Sequence, residues 1–183
     1  MGFRMLRSAA AVLAVLLLAG CVPGEPVVTP EPDPDVTPVF ASDEEALAAA
    51  TEAYAKYLEV YNVVAQDGGT DPNRMASVVT LEWLENEIDA FEMFAERGQH
   101  QLGDATFDNA QFQMRSSEGA GHEEVLMYVC WDLSNVTFLE ADDTITLPAQ
   151  NRIPLELRLE SGSSLPLPLL VAEVTPWSGA GIC

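Results

Sequence analysis

The sequence predicts an α+β domain in which helices come first along the chain and antiparallel strands follow. Between Ser42 and Gly98, apolar residues recur every three or four positions, the spacing of amphipathic helices. From Gly103 onward, apolar residues alternate with polar ones, the spacing of half-buried strands. Because the two patterns are segregated along the chain, we expect the helices to pack on one face of a curved antiparallel sheet.

The first 20 residues have the layout of an export signal. Arg4 and Arg7 precede ten apolar residues, Ala9 to Leu18. A run of this length is too short to cross a bilayer as a helix, which takes about 20 residues. It ends in Leu18-Ala19-Gly20-Cys21, which resembles the lipobox of bacterial lipoproteins. The alternative is an ordinary signal peptide that leaves Cys21 unmodified.

The lipobox resemblance implies that residues 1–20 are a cleaved signal peptide and that Cys21 receives a diacylglycerol thioether. Such a protein is anchored to the membrane through the lipid on Cys21, at the outer face of the cytoplasmic membrane. Residues 21–41 are then predicted to be a tether, because the segment 22–41 holds six of the twelve prolines. Proline favours the extended polyproline II backbone, which makes a semi-rigid spacer.

The charge balance excludes one class of partner. The chain has 29 acidic residues against eight basic ones, a formal charge of −21. Nucleic-acid binding needs a basic surface, so we expect no nucleic-acid partner. Dispersed acids are typical of a solvated surface, and a site for cations or a basic protein is the alternative.

Three helices are predicted at the start of the domain, which spans residues 42–183. Ser42 caps the first helix in a capping-box spacing, and Gly68-Gly69 ends it. Asp71-Pro72 is predicted to cap and begin a short helix that runs to about Val79. Thr80 caps the third helix, which Arg97-Gly98 closes. The apolar face of this third helix is predicted to contain Leu81, Leu84, Ile88, Phe91 and Ala95.

The second half of the chain predicts at least four strands. A strand from Val125 to Leu133 is apolar on both faces, which favours a central position in the sheet. Before it, a change of phase indicates a bulge or bend near Asn109. A half-buried strand covers Ile153 to Leu159, and the last strand runs from Leu167 to Val174. Pro166 and Pro168 favour an edge position for this last strand.

The order of these elements resembles the NTF2-like (SnoaL-like) fold, a cone-shaped α+β domain, and more narrowly the lipid-anchored NTF2-like proteins of Gram-positive bacteria. The resemblance covers residues 42–183 and depends on Thr80-Leu81-Glu82, Gly103-Asp104-Ala105-Thr106-Phe107, Val129-Cys130-Trp131-Asp132, Trp177 and Cys183. It implies a sheet that wraps around an interior, where relatives can hold a small ligand or perform isomerase or dehydratase chemistry.

With Cys21 lipidated, two cysteines remain in an exported chain, and a disulfide between Cys130 and Cys183 is the natural pairing. The NTF2-like resemblance implies the same link. The alternative is two unpaired buried thiols. No C-x-x-C spacing indicates a redox site.

Four residues are candidates for the lining of an interior pocket: Tyr54, Tyr61, Trp83 and Asp132. A buried aspartate beside tyrosine donors is a general-base arrangement in principle. The simpler interpretation is that the aromatic residues pack in the core and that Asp132 is a hydrogen-bonded carboxylate at a loop end, because the aromatic residues also fit the helical period.

No residue is assigned a catalytic role, and no cofactor or metal site is predicted. His100 and His122 are isolated, without the spaced cysteines or carboxylates of a zinc site. We therefore expect a non-enzymatic lipoprotein module that binds a protein partner or a small apolar ligand. The alternatives are an isomerase or dehydratase that uses the cone pocket, and a structural homodimer that pairs through its open sheet face.

Overall fold

The computed structural model describes residues 39–117, 122–161 and 168–183. These residues belong to one compact unit with the predicted α+β architecture, in which helices pack on antiparallel sheets. The predicted signal peptide, Cys21, most of the predicted tether and residues 118–121 and 162–167 lie outside the described residues. Within the described part, no helix is long and apolar enough to span a bilayer.

The first helix, α1 (Asp43–Gln66), starts where its cap predicts. The Glu45 N–H donates to Ser42 Oγ at 3.2 Å, and Glu45 Oε2 accepts from the Ala41 N–H at 2.7 Å. The second bond of the capping box therefore reaches one residue before the cap. Phe40 is also buried, so contacts with the domain begin slightly before the predicted boundary at Ser42.

Between the helices, residues Pro72–Ser77 form a short 3₁₀ helix rather than the longer helix predicted. Asp71 does not cap it, because its backbone is left-handed, with φ of 51°, and its side chain makes no capping bond. The second α-helix, α2 (Leu81–Arg97), is capped by Thr80 Oγ1, which accepts from the Trp83 N–H at 3.3 Å. Gly98 ends it with the predicted left-handed backbone, at φ of 60°.

The apolar face of α2 differs from the predicted one at three positions, and one of them is Ala95, which is exposed in the last turn of the helix. Leu81 is 79% exposed, because it is the first helical residue and lies beyond the contact with the rest of the domain. Glu87, by contrast, is buried on the same side as Phe91. A carboxylate therefore occupies a core position.

Seven strands complete the described fold. Four of them form the main antiparallel sheet, in the order β2, β3, β6, β7, and the other three form a small sheet in the order β1, β4, β5. The strands are β1 (His100–Leu102), β2 (Thr106–Ser117), β3 (Glu123–Asp132), β4 (Thr137–Leu139), β5 (Ile145–Thr146), β6 (Arg152–Ser161) and β7 (Leu169–Pro176).

The main sheet confirms three of the predicted strand features. β3 lies in the interior of the sheet, and β7 lies at an edge. The pairing of β2 with β3 shifts between Asp108 and Gln111, and Asn109 at this bulge has φ of 52°. The small sheet was not predicted, because strands of two or three residues are too short to show a period.

The core lies between α1 and one face of the main sheet. On β3 this face presents Val125, Met127 and Val129, all fully buried, and on β6 it presents Leu155, Leu157 and Leu159. The opposite face carries Tyr128 and Cys130, and the C-terminal residues cover part of it. There Trp177 packs on Tyr128, with ring centroids 4.6 Å apart, and Cys183 forms the predicted disulfide with Cys130.

Candidate functional site

A pocket of about 190 Å³ lies between α1 and the inner face of the main sheet. Helix α1 contributes four residues over two turns, at positions 54, 57, 58 and 61, and this spacing places them on one side of the helix. The sheet contributes the other wall through β3, β6 and β7. The lining residues are Tyr54, Tyr57, Leu58, Tyr61, Trp131, Leu155, Val174 and Pro176.

Aromatic rings form most of one wall of this tyrosine pocket, as we call it. Tyr54 and Tyr57 stack with ring centroids 5.4 Å apart, and Tyr61 meets Trp131 edge to face at 5.9 Å. Phe107 of β2 supports Tyr54 from outside the pocket, edge to face at 4.9 Å. Offset and edge-to-face contacts of this kind hold rings in defined orientations.

A buried carboxylate stands directly behind this wall. Glu87 of α2 is 6% exposed, and its Oε1 atom accepts two hydrogen bonds. The Tyr57 hydroxyl donates one at 2.9 Å, and the Trp83 Nε1–H donates the other at 2.8 Å. Trp83 and Glu87 are neighbours on the same helix because they lie four residues apart. Glu87 does not line the pocket itself and reaches it only through Tyr57.

Burial controls the ionisation of this group of residues. Desolvation raises the pKa of Glu87 above its ordinary value, while its bonds from Tyr57 and Trp83 act in the opposite direction. Burial also raises the pKa of Tyr54, Tyr57 and Tyr61, and the nearby Glu87 carboxylate adds to each rise. All three phenols are therefore protonated over the physiological pH range.

The structure brings together only some of the predicted pocket residues. Tyr54 and Tyr61 line the pocket. Trp83 lies behind it, in contact with Glu87. Asp132 is elsewhere: its side chain alternates to the opposite face of β3, where Oδ2 is 2.5 Å from Arg152 and Oδ1 accepts from the Ser134 N–H at 2.8 Å.

The surroundings of Asp132 do not suit a general base. Hydrogen bonds from Ser134, and then from Arg152, lower the pKa of Asp132. Such a carboxylate stays ionised and fully engaged at the end of its strand. The loop-end interpretation of this residue therefore agrees with its contacts.

Sequence reasoning missed Tyr57, Glu87 and Trp131. Glu87 left a detectable signal, because it falls on the apolar stripe of α2, three residues after Leu84 and four before Phe91. Trp131 lies in the predicted central strand from Val125 to Leu133, but the alternation of that strand does not connect it with the helix. That connection depends on how α1 lies across the sheet, which no local pattern encodes.

The two histidines lie apart from this pocket. His100 is on β1, with Nδ1 3.1 Å from the Gln66 carbonyl oxygen, and His122 is exposed just before β3. Across residues 39–117, 122–161 and 168–183, no three His, Cys, Asp or Glu side chains come together in a way that would hold a metal ion.

Comparison with known proteins bears on the fold alone. No family model matches the chain, and no curated protein matches it. Among solved structures, the chain is similar to the crystal structure of the intermembrane space region of the chloroplast protein ARC6. The two share 12% sequence identity with a TM-score of 0.52, over 73% of this chain and 97% of that one. At this identity the likeness extends to the arrangement of helices and sheets and no further.

Proposed function

We propose that this protein is a lipid-anchored, extracytoplasmic module with an NTF2-like cone, and that it binds a small apolar ligand in the tyrosine pocket. The observation that carries the proposal is the pocket itself, which lies between a helix and the concave side expected for such a cone. Its lining is aromatic and aliphatic, with a few polar groups, which is the usual composition of a small-molecule site. The anchor is supported by the resemblance of Leu18-Ala19-Gly20-Cys21 to a lipobox.

Isomerase or dehydratase chemistry in the same pocket is the second candidate, and the Glu87 to Tyr57 contact is the observation in its favour. A carboxylate with a raised pKa beside a phenol is an acid-base pair. A general base must also reach the proton that it removes. Glu87 is separated from the pocket by Tyr57, and its Oε1 already accepts two bonds. Binding is therefore the better-supported function.

The two candidates differ in a proton-exchange experiment. Cyclohexanone in D₂O exchanges its α-protons faster when a general base acts on the bound ketone. The isomerase candidate expects the intact chain to accelerate this exchange and Glu87→Gln to abolish the acceleration. If the protein only binds the ketone, the α-protons of cyclohexanone exchange at the rate measured in buffer alone.

Blocking the pocket tests the binding proposal. Val174 is a half-buried pocket residue of β7, and Val174→Phe would place a ring in the cavity. Toluene is the probe, and the signals of ring-labelled tyrosine are the readout. The chain has four tyrosines, of which three line the pocket and Tyr128 does not. We expect toluene to shift the three pocket signals in the wild type and to have no effect on Val174→Phe.

The control for this experiment is Leu147→Phe, which adds a ring at a side chain that is 75% exposed and lies outside the pocket. It should bind toluene as the wild type does. Wild-type binding by Val174→Phe, or shifts of Tyr128 alone, would show that toluene binds elsewhere and would overturn the proposal.

The anchor has its own test. Cys21→Ala removes the lipid acceptor, so we expect the chain to lose incorporation of labelled palmitate and to leave the membrane fraction after a high-salt wash. Cys183→Ala is the matched control, because it removes a cysteine outside the lipobox and should remain lipidated. Retention of Cys21→Ala at the wild-type level, with palmitate still incorporated, would refute lipid anchoring at this residue.

A further inference from the structure

We infer that the ligand of the tyrosine pocket is a neutral compound about the size of one ring that carries an acceptor oxygen, which the hydroxyls of Tyr54 and Tyr61 bind. This inference rests on the proposed function, because it names the chemical class of the ligand in the same pocket. Three properties of the pocket support it: two hydroxyls that hydrogen-bond to no described residue, a lining whose described residues include no basic side chain, and the volume.

The first property is the state of the hydroxyls. Tyr54 is 1% exposed, yet its hydroxyl makes no hydrogen bond with any described residue, and neither does that of Tyr61. Tyr57 is different, because its hydroxyl already donates to Glu87. Neither hydroxyl is among the fully enclosed polar atoms that lack a partner, so solvent in the pocket reaches both. A ligand that brings an acceptor oxygen into the pocket replaces that solvent and gives the phenols a direct acceptor.

The second property is charge. The pocket lining contains no basic side chain, and the buried carboxylate of Glu87 lies behind it, bonded to the lining residue Tyr57. An anionic ligand would lose its hydration and approach a negative group without a positive one to compensate. Because the phenols stay protonated, they act as neutral donors. The pocket therefore selects an uncharged acceptor, such as a carbonyl oxygen, over a carboxylate.

The third property is size. The pocket of about 190 Å³ is smaller than most drug-sized sites. An apolar protein cavity of about 150 Å³ is known to hold benzene. The tyrosine pocket therefore fits one ring with one small substituent, and a fused multi-ring compound would have to leave part of its surface outside.

A matched pair of probes tests the role of the acceptor oxygen. Cyclohexanone and methylenecyclohexane have nearly the same shape, and differ in that a carbonyl oxygen replaces a methylene group. We titrate the intact chain with each, using the ring-labelled tyrosine signals as readout, and we add cyclohexanecarboxylate as the anionic probe. One good hydrogen bond predicts that cyclohexanone binds about three- to tenfold more tightly than methylenecyclohexane, with the carboxylate weakest.

Two variants identify the donors. Tyr54→Phe and Tyr61→Phe each remove one hydroxyl and keep the ring, so we expect each to reduce the preference for the ketone and the double variant to abolish it. Binding of methylenecyclohexane should be unchanged, which shows that the variants fold. Tyr128→Phe is the control, because Tyr128 lies on the opposite face of the sheet and should keep the full preference.

The outcomes separate this inference from the proposed function. If neither the ring probes nor toluene shift the pocket signals, the proposed ligand site is wrong. If the two ring probes bind equally, or if both Phe variants keep the wild-type preference, the pocket binds ligands but the assigned donors are wrong. Tighter binding of the carboxylate than of the ketone would overturn the neutral class.

Discussion

At the scale of single residues, Glu87 is one of the two buried carboxylates among the described residues, and Glu123 is the other. Moving an ionised carboxylate out of water costs desolvation free energy, which is offset only when hydrogen-bond donors surround the carboxylate. Tyr57 and Trp83 provide two such donors, both directed at Oε1. Because the two donors come from α1 and α2, the carboxylate ties the helices together and fixes the ring of Tyr57 in the pocket wall. We interpret Glu87 as a residue that positions Tyr57.

The raised pKa of Glu87 predicts how stability depends on pH. In the folded state this carboxyl binds protons more readily than in the unfolded state, where its pKa is near the ordinary 4.5. The free energy of unfolding contributed by Glu87 therefore falls as pH rises from 4.5 to the raised value, and is constant above it. Glu87→Gln does not titrate. We expect its stability, relative to the wild type, to increase with pH across this window in urea denaturation measured at several pH values.

The control for this prediction is Glu85→Gln, which changes an exposed carboxylate on the same helix. Its pH profile should follow that of the wild type. If Glu87→Gln and the wild type have parallel profiles from pH 4 upward, then the carboxyl does not titrate abnormally in the folded protein and the prediction is wrong.

At the scale of elements, the helices were the most predictable part of the chain. Caps and end signals are local, so Ser42, Thr80 and Gly98 locate helix ends without knowledge of the tertiary structure. The prediction failed at Asp71, where a left-handed backbone took the place of a cap. An Asp-Pro pair is compatible with a turn as well as with a helix start, and the surrounding fold decides between them.

The length of a strand decides how well the sequence predicts it. β3 and β6 each have ten residues, enough to show which positions face the core. The bulge of β2 was also visible, as a change of phase near Asn109. Its location has a structural reason, because the Asn109 side chain donates to the Ile182 carbonyl at 3.1 Å. The bulge thus contacts the C-terminal segment, and no local sequence pattern predicts this long-range contact.

The pocket could be predicted only in part from the sequence. The helical period placed Tyr54 and Tyr61 on one face of α1, but the same period is equally consistent with a filled core. Whether these tyrosines line a pocket or fill the core depends on the distance between α1 and the sheet and on where α2 places Glu87. These are properties of packing between elements, and they decide that the hydroxyls of Tyr54 and Tyr61 lack partners while that of Tyr57 is bonded.

At the scale of the whole molecule, the point where the tether joins the domain and the pocket lie towards opposite ends of β3. The Val39 N–H donates to Glu123 Oε1 at 2.7 Å, and Glu123 is the first residue of β3. Trp131, which lines the pocket, is the penultimate residue of the strand. In a chain anchored through Cys21, this arrangement places the pocket away from the attachment point of the tether.

The C-terminal segment bears on the homodimer alternative. From Trp177 onward it crosses the face of the main sheet that α1 does not cover, where Trp177 packs on Tyr128 and Gly181 O accepts from Gln111 Nε2 at 3.3 Å. A second copy that paired through this face would meet the segment first. A homodimer built on this sheet face would therefore have to include the C-terminal segment in its interface or displace it.

The disulfide sets how firmly this segment is held, and removing it should destabilise the whole domain. Cys130 is fully buried and Cys183 is exposed, so Cys183→Ser removes the link without creating a cavity. The two cysteines are 53 residues apart in sequence, and a closed loop of this size restricts the unfolded chain by an amount that corresponds to about 4 kcal/mol. We expect urea denaturation to give a free energy of unfolding about 2–4 kcal/mol lower for Cys183→Ser. Wild-type protein measured with reductant should show the same loss, whereas an unchanged midpoint, or two thiols that alkylate in the unreduced wild type, would exclude the bond as a stabilising element.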